Sequence, residues 1–348
     1  MKVALLHGIR DIRIEYIDKP KPKEGEILLK VQTCSVCGSD LRIFNHGNSR
    51  VTYPAIIGHE IAGEIAEVGS NVKCLKKGDK VAVGADVPSM EDDWSKGGIG
   101  NLSEINYAMG YQFPGGFAEY CLLNELTVNY GPITKIPENV TYEEASLAEP
   151  LACCINGFER VFMSLGKTVL IIGAGPIGIL LAKTAKAFGA SWVVLADIDN
   201  NRVDQAKKLG INNVYNIKDI QIDNFPIAYV KERNGFDVIF TACAVPDVQE
   251  SAIEYLSKRG VVNYFGGLPE TARKISIFSN PIHYKEALLT GSHGSTPLQH
   301  KIAIQMISSG QINVSSLISH SFPLEGIHDA FNIVERRLGL KVIIKPWS

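Results

Sequence analysis

Hydrophobic and polar positions follow two different rhythms along the chain. From residue 1 to about 125, short apolar segments (KVALL, DIRIEY, EILLKV, EIAGEIAEV, DKVAV, FAEYCLL) are separated by glycine, proline and charged turns. That pattern predicts β-strands and a rolled antiparallel β domain. The stretch from Thr141 to Leu165 carries apolar residues at helical spacing behind Thr141 and the acidic pair Glu143 and Glu144, so it predicts a helix that Pro150 interrupts or kinks. After Gly166 the rhythm becomes an alternation. KTVLII, WVVLAD, NVYNI, FDVIFTA, GVVNYFG and EALLTG read as short buried strands with helices among them, which implies a parallel sheet covered on both faces. From about residue 295 two helices (HKIAIQMISSG, LEGIHDAFNIVERR) and a strand (LKVIIKP) are expected to return to the first domain. No internal repeat or low-complexity segment interrupts this order, and 348 residues exceed what one core usually serves, so two domains are expected.

Composition narrows the partners. Hydrophobic residues make up 45% and charged residues 21%, and the formal net charge of -2 offers no bulk attraction to phosphate backbones, which argues against nucleic acid. The N-terminal MKVALLHGIRDIRIEY reaches charged residues too early for a signal peptide, and no run of about 18 apolar residues follows, so no membrane partner is expected. Seven cysteines, an odd and scattered set, fit reduced thiols or metal ligation in a cytoplasm better than a disulfide framework.

The segment VLIIGAGPIGILLAKTAKAFG sets Gly173, Gly175, Pro176, Ile177 and Gly178 between an apolar strand and an apolar helix. Glycines in a G-x-G-x-x-G turn let the backbone reach a pyrophosphate, whose charge meets the free N–H groups of the helix start. The next strand ends in Asp197, about twenty residues on, where a carboxylate takes the adenosine ribose hydroxyls and repels a 2′-phosphate, so NAD is expected over NADP. Arg202, on the helix that follows, joins the candidate cofactor set. The bland alternative is a plain glycine turn with Asp197 capping a helix.

Cys34 and Cys37 stand at C-x-x-C spacing, but a zinc ribbon needs a second such pair and none exists. Cys74, Cys121 and Cys243 are isolated, and Cys153 and Cys154 are adjacent, so at most one cysteine of the first pair is expected to act, with ligands from elsewhere. His59 and Glu60 in GHE, and Glu149 before Pro150, offer them. Cysteine, histidine and carboxylate all suit zinc, and a three-ligand site with an open position is the catalytic kind. Taken singly, each residue has a duller reading: a small core filler, a satisfied core histidine, a helix cap.

Together, CGSD (Cys37 to Asp40), GHEIAGEIAEVGSNV (Gly58 to Val72), FPGGFAEY (Phe113 to Tyr120) and GAGPIG (Gly173 to Gly178) resemble the zinc-containing medium-chain alcohol dehydrogenases over essentially the whole chain. Glu60 and the EP pair at Glu149 and Pro150 resemble the sorbitol (polyol) dehydrogenase branch. The resemblance implies an α/β fold in which a GroES-like rolled β catalytic domain (1–153 and 292–348) accompanies a doubly wound Rossmann NAD domain (154–291). It implies that Cys37 and His59 bind zinc, that Glu60 and Glu149 complete the shell directly or through water, and that Asp40 holds the His59 ring. It gives Ser39 the substrate oxygen and the start of the proton exit. The expected reaction passes a hydride between a secondary alcohol of a polyol, giving a ketose, and NAD, with zinc as Lewis acid. A cytoplasmic homotetramer or homodimer is implied as well.

Two departures from that family matter. Many relatives hold a structural zinc with four cysteines after the strand at DKVAV, whereas GADVPSMEDDWSKGGIGNLSEIN has no cysteine and carries Ser103 where relatives often have one, so one zinc per chain is expected. Where many relatives place a relay histidine this chain has Arg42, which cannot release a proton near neutral pH. The relay is then expected to end at the ribose hydroxyl and water, or at His46. Arg42 could also meet a substrate phosphate, a surface carboxylate or the cofactor pyrophosphate. The rival readings are a polyol-phosphate dehydrogenase, a threonine 3-dehydrogenase-like enzyme, a zinc-free quinone-reductase-like member and a catalytically silent NAD-binding protein.

Overall fold

The computed structural model describes residues 1–220, 230, 232, 234–272 and 274–348. The chain forms two compact units, Met1–Ala152 with Gly294–Ser348 and, between them in sequence, Cys153–His293.

In the first unit a hairpin of Lys2–Gly8 (β1) and Asp11–Tyr16 (β2) pairs Lys2 with Tyr16, and Ala55–Ile56 (β4) lies along β1. The larger sheet is built around Ile27–Val36 (β3), whose near-continuous burial follows from neighbours on both edges and both faces. Glu60–Val68 (β5), Lys80–Val83 (β6) and Ile133–Lys135 (β10) extend it on one side, and Tyr120–Leu123 (β9) also pairs with β3. The short strands Asp86–Val87 (β7) and Tyr107–Ala108 (β8) pair separately. On the other side of β3 the C-terminal strands Lys341–Lys345 and Ile318–Pro323 close the sheet.

The last pair departs from a purely antiparallel roll. Ile318–Pro323 runs parallel to Lys341–Lys345, with helix Ile327–Glu335 as the crossover between them. ISHSFP escapes hydrophobic-pattern reading because it is an edge strand that alternates between half-buried and exposed positions. Pro150 also behaves otherwise than expected. The helical stretch breaks at Leu147, between Tyr142–Ser146 (α4) and Ala148–Arg160 (α5), so the proline falls in the first turn of α5, where its missing N–H has no helical partner to lose. Thr141 caps α4 by accepting the Glu144 N–H, and Glu144 reaches back to the Thr141 N–H.

The cysteine-free lobe between β7 and β8 is tied by oxygen. Asp92 accepts N–H groups from Ser95 (2.8 Å) and Glu104 (3.0 Å) and the Ser103 hydroxyl, while Ser89 lies 2.8 Å from Ser103 and 3.4 Å from Ser95. One carboxylate and three hydroxyls therefore converge from four points of the chain.

In the second unit six parallel strands, Thr168–Ile172 (β11), Trp192–Asp197 (β12), Val214–Asn216 (β13), Phe236–Thr241 (β14), Leu256–Tyr264 (β15) and Leu288–Gly291 (β16), take the order β13-β12-β11-β14-β15-β16. Val169 of β11 stands level with Val193 on one side and Val238 on the other. The order reverses between β11 and β14, the switch point where doubly wound sheets open a crevice at the carboxyl ends of their strands. Leu170, Val194, Phe236 and Ile239 are fully buried in the core of this unit. Among the described residues no helix is long and apolar enough to cross a membrane.

The Ser103 hydroxyl and the Ser95 N–H hold the Asp92 carboxyl down, from its ordinary 3.8 to about 2. A depressed carboxyl contributes stability above its unfolded value and loses it as the pH falls through the folded one. Asp92→Ala is therefore expected to lower the melting temperature at pH 7, with the gap to the parent protein closing as the pH falls from about 4 toward 2. Thermal unfolding followed by circular dichroism across that range checks it, and a gap independent of pH would mean the carboxylate charge is not what ties the lobe.

Candidate metal centre

Cys37 follows β3 in extended backbone, just ahead of helix Gly38–His46 (α1). Asp40, in the first turn, accepts the Cys37 N–H at 2.9 Å with Oδ2, and its Oδ1 lies 3.1 Å from Nδ1 of His59. One fully buried carboxylate thus caps a helix and aims an imidazole. His59 reaches that position because Gly58 turns the chain at φ +96, in the left-handed region that favours glycine. A side chain there would come within 2.8 Å of Cys34 Sγ.

The result is a cluster in which ligand atoms of Cys37, His59 and Glu60 all lie within 4.8 Å of one another. With Nδ1 committed to Asp40, Nε2 is the free ligating nitrogen, and Ser39 Oγ stands 3.3 Å from it. Burial opposes a charged His59 ring, but the Asp40 carboxylate and the neighbouring Cys37 together raise its pKa well above the ordinary value. A proton sits where a cation is favoured. A thiol, an imidazole and a carboxylate, the first two with a hydrogen-bonded second layer, form a donor set that suits zinc.

Glu60, fully buried, is held from the other side: Lys341 Nζ donates to Oε1 at 2.7 Å, and the Ser35 hydroxyl donates to Oε2. Lys341 is itself 4% exposed, and although burial opposes its charge, Glu60 lifts its pKa above normal. Glu149 does not join the mutual group of three. It lies in the first turn of α5, where burial raises its carboxyl to about 7 against the pull of His59, with Glu60 and Asp86 adding to the rise.

The structure separates the two cysteines of the C-x-x-C pair. Cys34 belongs to the core, and burial drives its thiol pKa far up, whereas Cys37 faces the histidine. Arg42 and His46 both lie exposed on α1, and among the described residues nothing joins His46 to Ser39. Sequence reading missed Lys341, Ser35 and Tyr111, whose ring centroid is 5.9 Å from that of His59. A signal existed for the lysine. In LKVIIKP it heads a strand with a fully apolar interior, and a buried lysine demands a partner.

In the second unit the strand β11 leads through Gly173 and Ala174 to Gly175, which precedes helix Pro176–Ala187. A side chain at Gly178 would fall 1.7 Å from the Gly173 carbonyl oxygen, so the turn closes only with glycine there. Pro176 begins the helix with no N–H to satisfy, and Ile177 follows it. Asp197, at the end of β12, accepts the Ala174 N–H at 2.7 Å and the Asp199 N–H at 2.9 Å. Arg202, on helix Asn200–Lys208, brings Nη1 within 2.8 Å of where a Gly175 side chain would begin. Carboxylate, guanidinium and free helix N–H groups therefore surround one turn.

The alcohol dehydrogenase GroES-like domain family matches residues 23–134, and the zinc-binding dehydrogenase family matches residues 176–309. A sorbitol dehydrogenase of Bombyx mori is 31% identical over 98% of this chain and 97% of its own length. A zinc-binding dehydrogenase from Sinorhizobium meliloti 1021 bound to NADP superposes with TM-score 0.90 at 26% identity, covering 99% of each chain. Galactitol-1-phosphate dehydrogenase of Escherichia coli gives TM-score 0.88 at 25% identity over 99% of this chain and 100% of its own. The chain belongs to the zinc-type medium-chain alcohol dehydrogenase family and is a dehydrogenase of its alcohol and polyol kind.

Removing one partner of a buried ion pair costs about 3–5 kcal/mol because the other charge stays behind. Lys341→Met is expected to destabilise the metal-free protein by about that amount and the zinc-loaded protein by less, since a cation beside Glu60 takes over the neutralisation. Chemical denaturation of the two forms measures the difference. Equal losses would mean that Lys341 serves packing rather than the Glu60 charge.

Proposed function

We propose that this enzyme is a zinc-dependent polyol dehydrogenase that oxidises a secondary alcohol of a sorbitol-like substrate to a ketose with NAD. The observation that carries the reading is the convergence of Cys37, His59 and Glu60 on one point, with the Ser39 hydroxyl at the ligating nitrogen of the histidine. Cys37 and His59 would hold the ion, with Glu60 and Glu149 as the carboxylates available to complete its shell. When bound, zinc supplies a Lewis acid for the alcohol oxygen and the nicotinamide supplies the hydride acceptor.

The chain's own residues do the rest. Asp40 fixes the tautomer and orientation of His59 and makes it a stronger base toward a cation. Ser39 hydrogen-bonds the substrate oxygen and takes its proton outward. His46 lies on the same face of α1 two turns on, about 10 Å by the helical rise, so water carries the proton between them. Gly173, Gly175 and Gly178 admit the pyrophosphate to the helix N-terminus, and Asp197, which already binds two backbone N–H groups, accepts the adenosine ribose hydroxyls and disfavours a 2′-phosphate.

Polyol phosphates form the second reading, favoured by the exposed Arg42 guanidinium on α1 and by the likeness to galactitol-1-phosphate dehydrogenase. Assays of NAD and NADP reduction on sorbitol, xylitol, threonine, simple secondary alcohols and polyol phosphates, with metal content measured in parallel, test both. The expected result is one zinc per chain and preference for a free polyol with NAD. Asp197→Ala is expected to raise the KM for NAD and narrow the gap to NADP. Turnover of threonine alone, or full activity without metal, would overturn the reading.

A further inference from the structure

Sequence motifs leave Arg50 and Tyr111 unassigned, yet the structure places Tyr111 beside the metal-ligand cluster of the first unit and Arg50 against Tyr111. Tyr111 is mostly buried, and its ring stands 5.9 Å from that of His59, whose Nε2 lies 3.3 Å from the Ser39 hydroxyl. Arg50 also packs on this ring: its guanidinium carbon lies 4.6 Å from the Tyr111 ring centroid, in cation–π range.

Arg50 is anchored through one nitrogen. Its Nη2 donates to the backbone oxygen and side-chain Oδ1 (3.1 Å) of Asn106 and to Gln112 Oε1 (3.4 Å). Every acceptor in that set is neutral, and among the described residues no carboxylate pairs with Arg50 and nothing engages its Nη1. A half-buried, permanently charged fork with spare donors is a recognition group for oxygen acceptors. Beside it opens a cavity of about 370 Å³, lined by Arg50, Thr52, Tyr111 and Gln112 with apolar walls from Ile56 and Phe113. That size lies within the range of about 300–1,000 Å³ usual for small-molecule sites.

We propose that Arg50 and Tyr111 form a specificity subsite: Tyr111 links the reacting end of the site at His59 to this cavity, and Arg50 binds oxygen groups on the distal part of the substrate there. The inference rests on the polyol reading given above and deepens it, because it names what separates a polyol from a simple alcohol. A hydroxyl-bearing tail gives Arg50 an acceptor, whereas an unsubstituted alkyl tail leaves the fork unpaired and gains little. Hydroxyls and a terminal phosphate share this chemistry.

The test compares the parent protein with Arg50→Leu and the cavity-filling Thr52→Trp on 2-butanol, sorbitol and sorbitol 6-phosphate. Kinetics give the ratio of kcat/KM for each polyol to that for 2-butanol, and calorimetric titration of the same ligands reads the subsite even without turnover. Losing a hydrogen bond to a charged group predicts that Arg50→Leu lowers the ratio about tenfold or more, chiefly through KM, with matching loss of polyol binding. Thr52→Trp is expected to lower it in the same direction without disturbing the Arg50 anchor. A larger loss for the phosphate ester identifies an anionic tail and an equal loss identifies hydroxyls; either supports the subsite. An unchanged ratio in both variants, or an equal loss on all three compounds, overturns it and leaves Arg50 a clamp for the turn at Asn106 to Gln112. Failure of the polyol reading is a separate result: the parent protein would then turn over none of the panel, while the calorimetric comparison would still decide the subsite.

Discussion

Asp40 carries more of this site than any residue that would touch a metal. Its two carboxylate oxygens point opposite ways, one to the backbone of Cys37 and one to the ring of His59. The junction that delivers the thiol and the turn that delivers the imidazole are thereby registered against each other through a single rigid group. Because that group is fully buried, water cannot substitute for either contact. The distance between Cys37 and His59 is therefore a property of one side chain, and Gly58, which alone can take the backbone turn ahead of the histidine, makes that registration reachable.

Around this pivot the first unit concentrates ionisable groups that a protein interior ordinarily excludes. Asp40, His59, Glu60, Glu149 and Lys341 are all nearly or wholly buried. Each is tolerable only through the others: Lys341 compensates Glu60, Asp40 compensates a charged His59, and Glu149 keeps a carboxyl that titrates near neutrality. The carboxylates outnumber the cations, so the cluster as a whole favours a positive guest. The second unit solves its own charge problem with backbone, collecting free N–H groups at a glycine turn for an anionic ligand.

Much of this was legible in residue order, and the reasons differ from place to place. The doubly wound sheet announced itself because parallel strands buried on both faces read as unbroken apolar runs, as in TVLII and WVVLAD. Cys37, His59 and Glu60 were legible through motif order, since CGSD and GHE fix which side chains leave a strand end together. What stayed hidden depends on contacts between distant segments. Lys341 meets Glu60 across most of the chain's length, and Arg50 meets Tyr111 through a turn that no periodicity marks. The edge strand Ile318–Pro323 stayed hidden because half its side chains face solvent and carry no apolar signal. Pro150 misled because its effect depends on whether it falls in a first turn or a third, a boundary that pattern alone does not resolve.

The lobe closed by Ser89, Asp92, Ser95 and Ser103 carries an implication for how the enzyme ages and where it can work. Its bonds are made by hydroxyls, amides and a single acid, so oxidants that attack thiolates find no target in that knot. Oxidative exposure that damages thiols elsewhere in the chain would then leave this part of the scaffold intact.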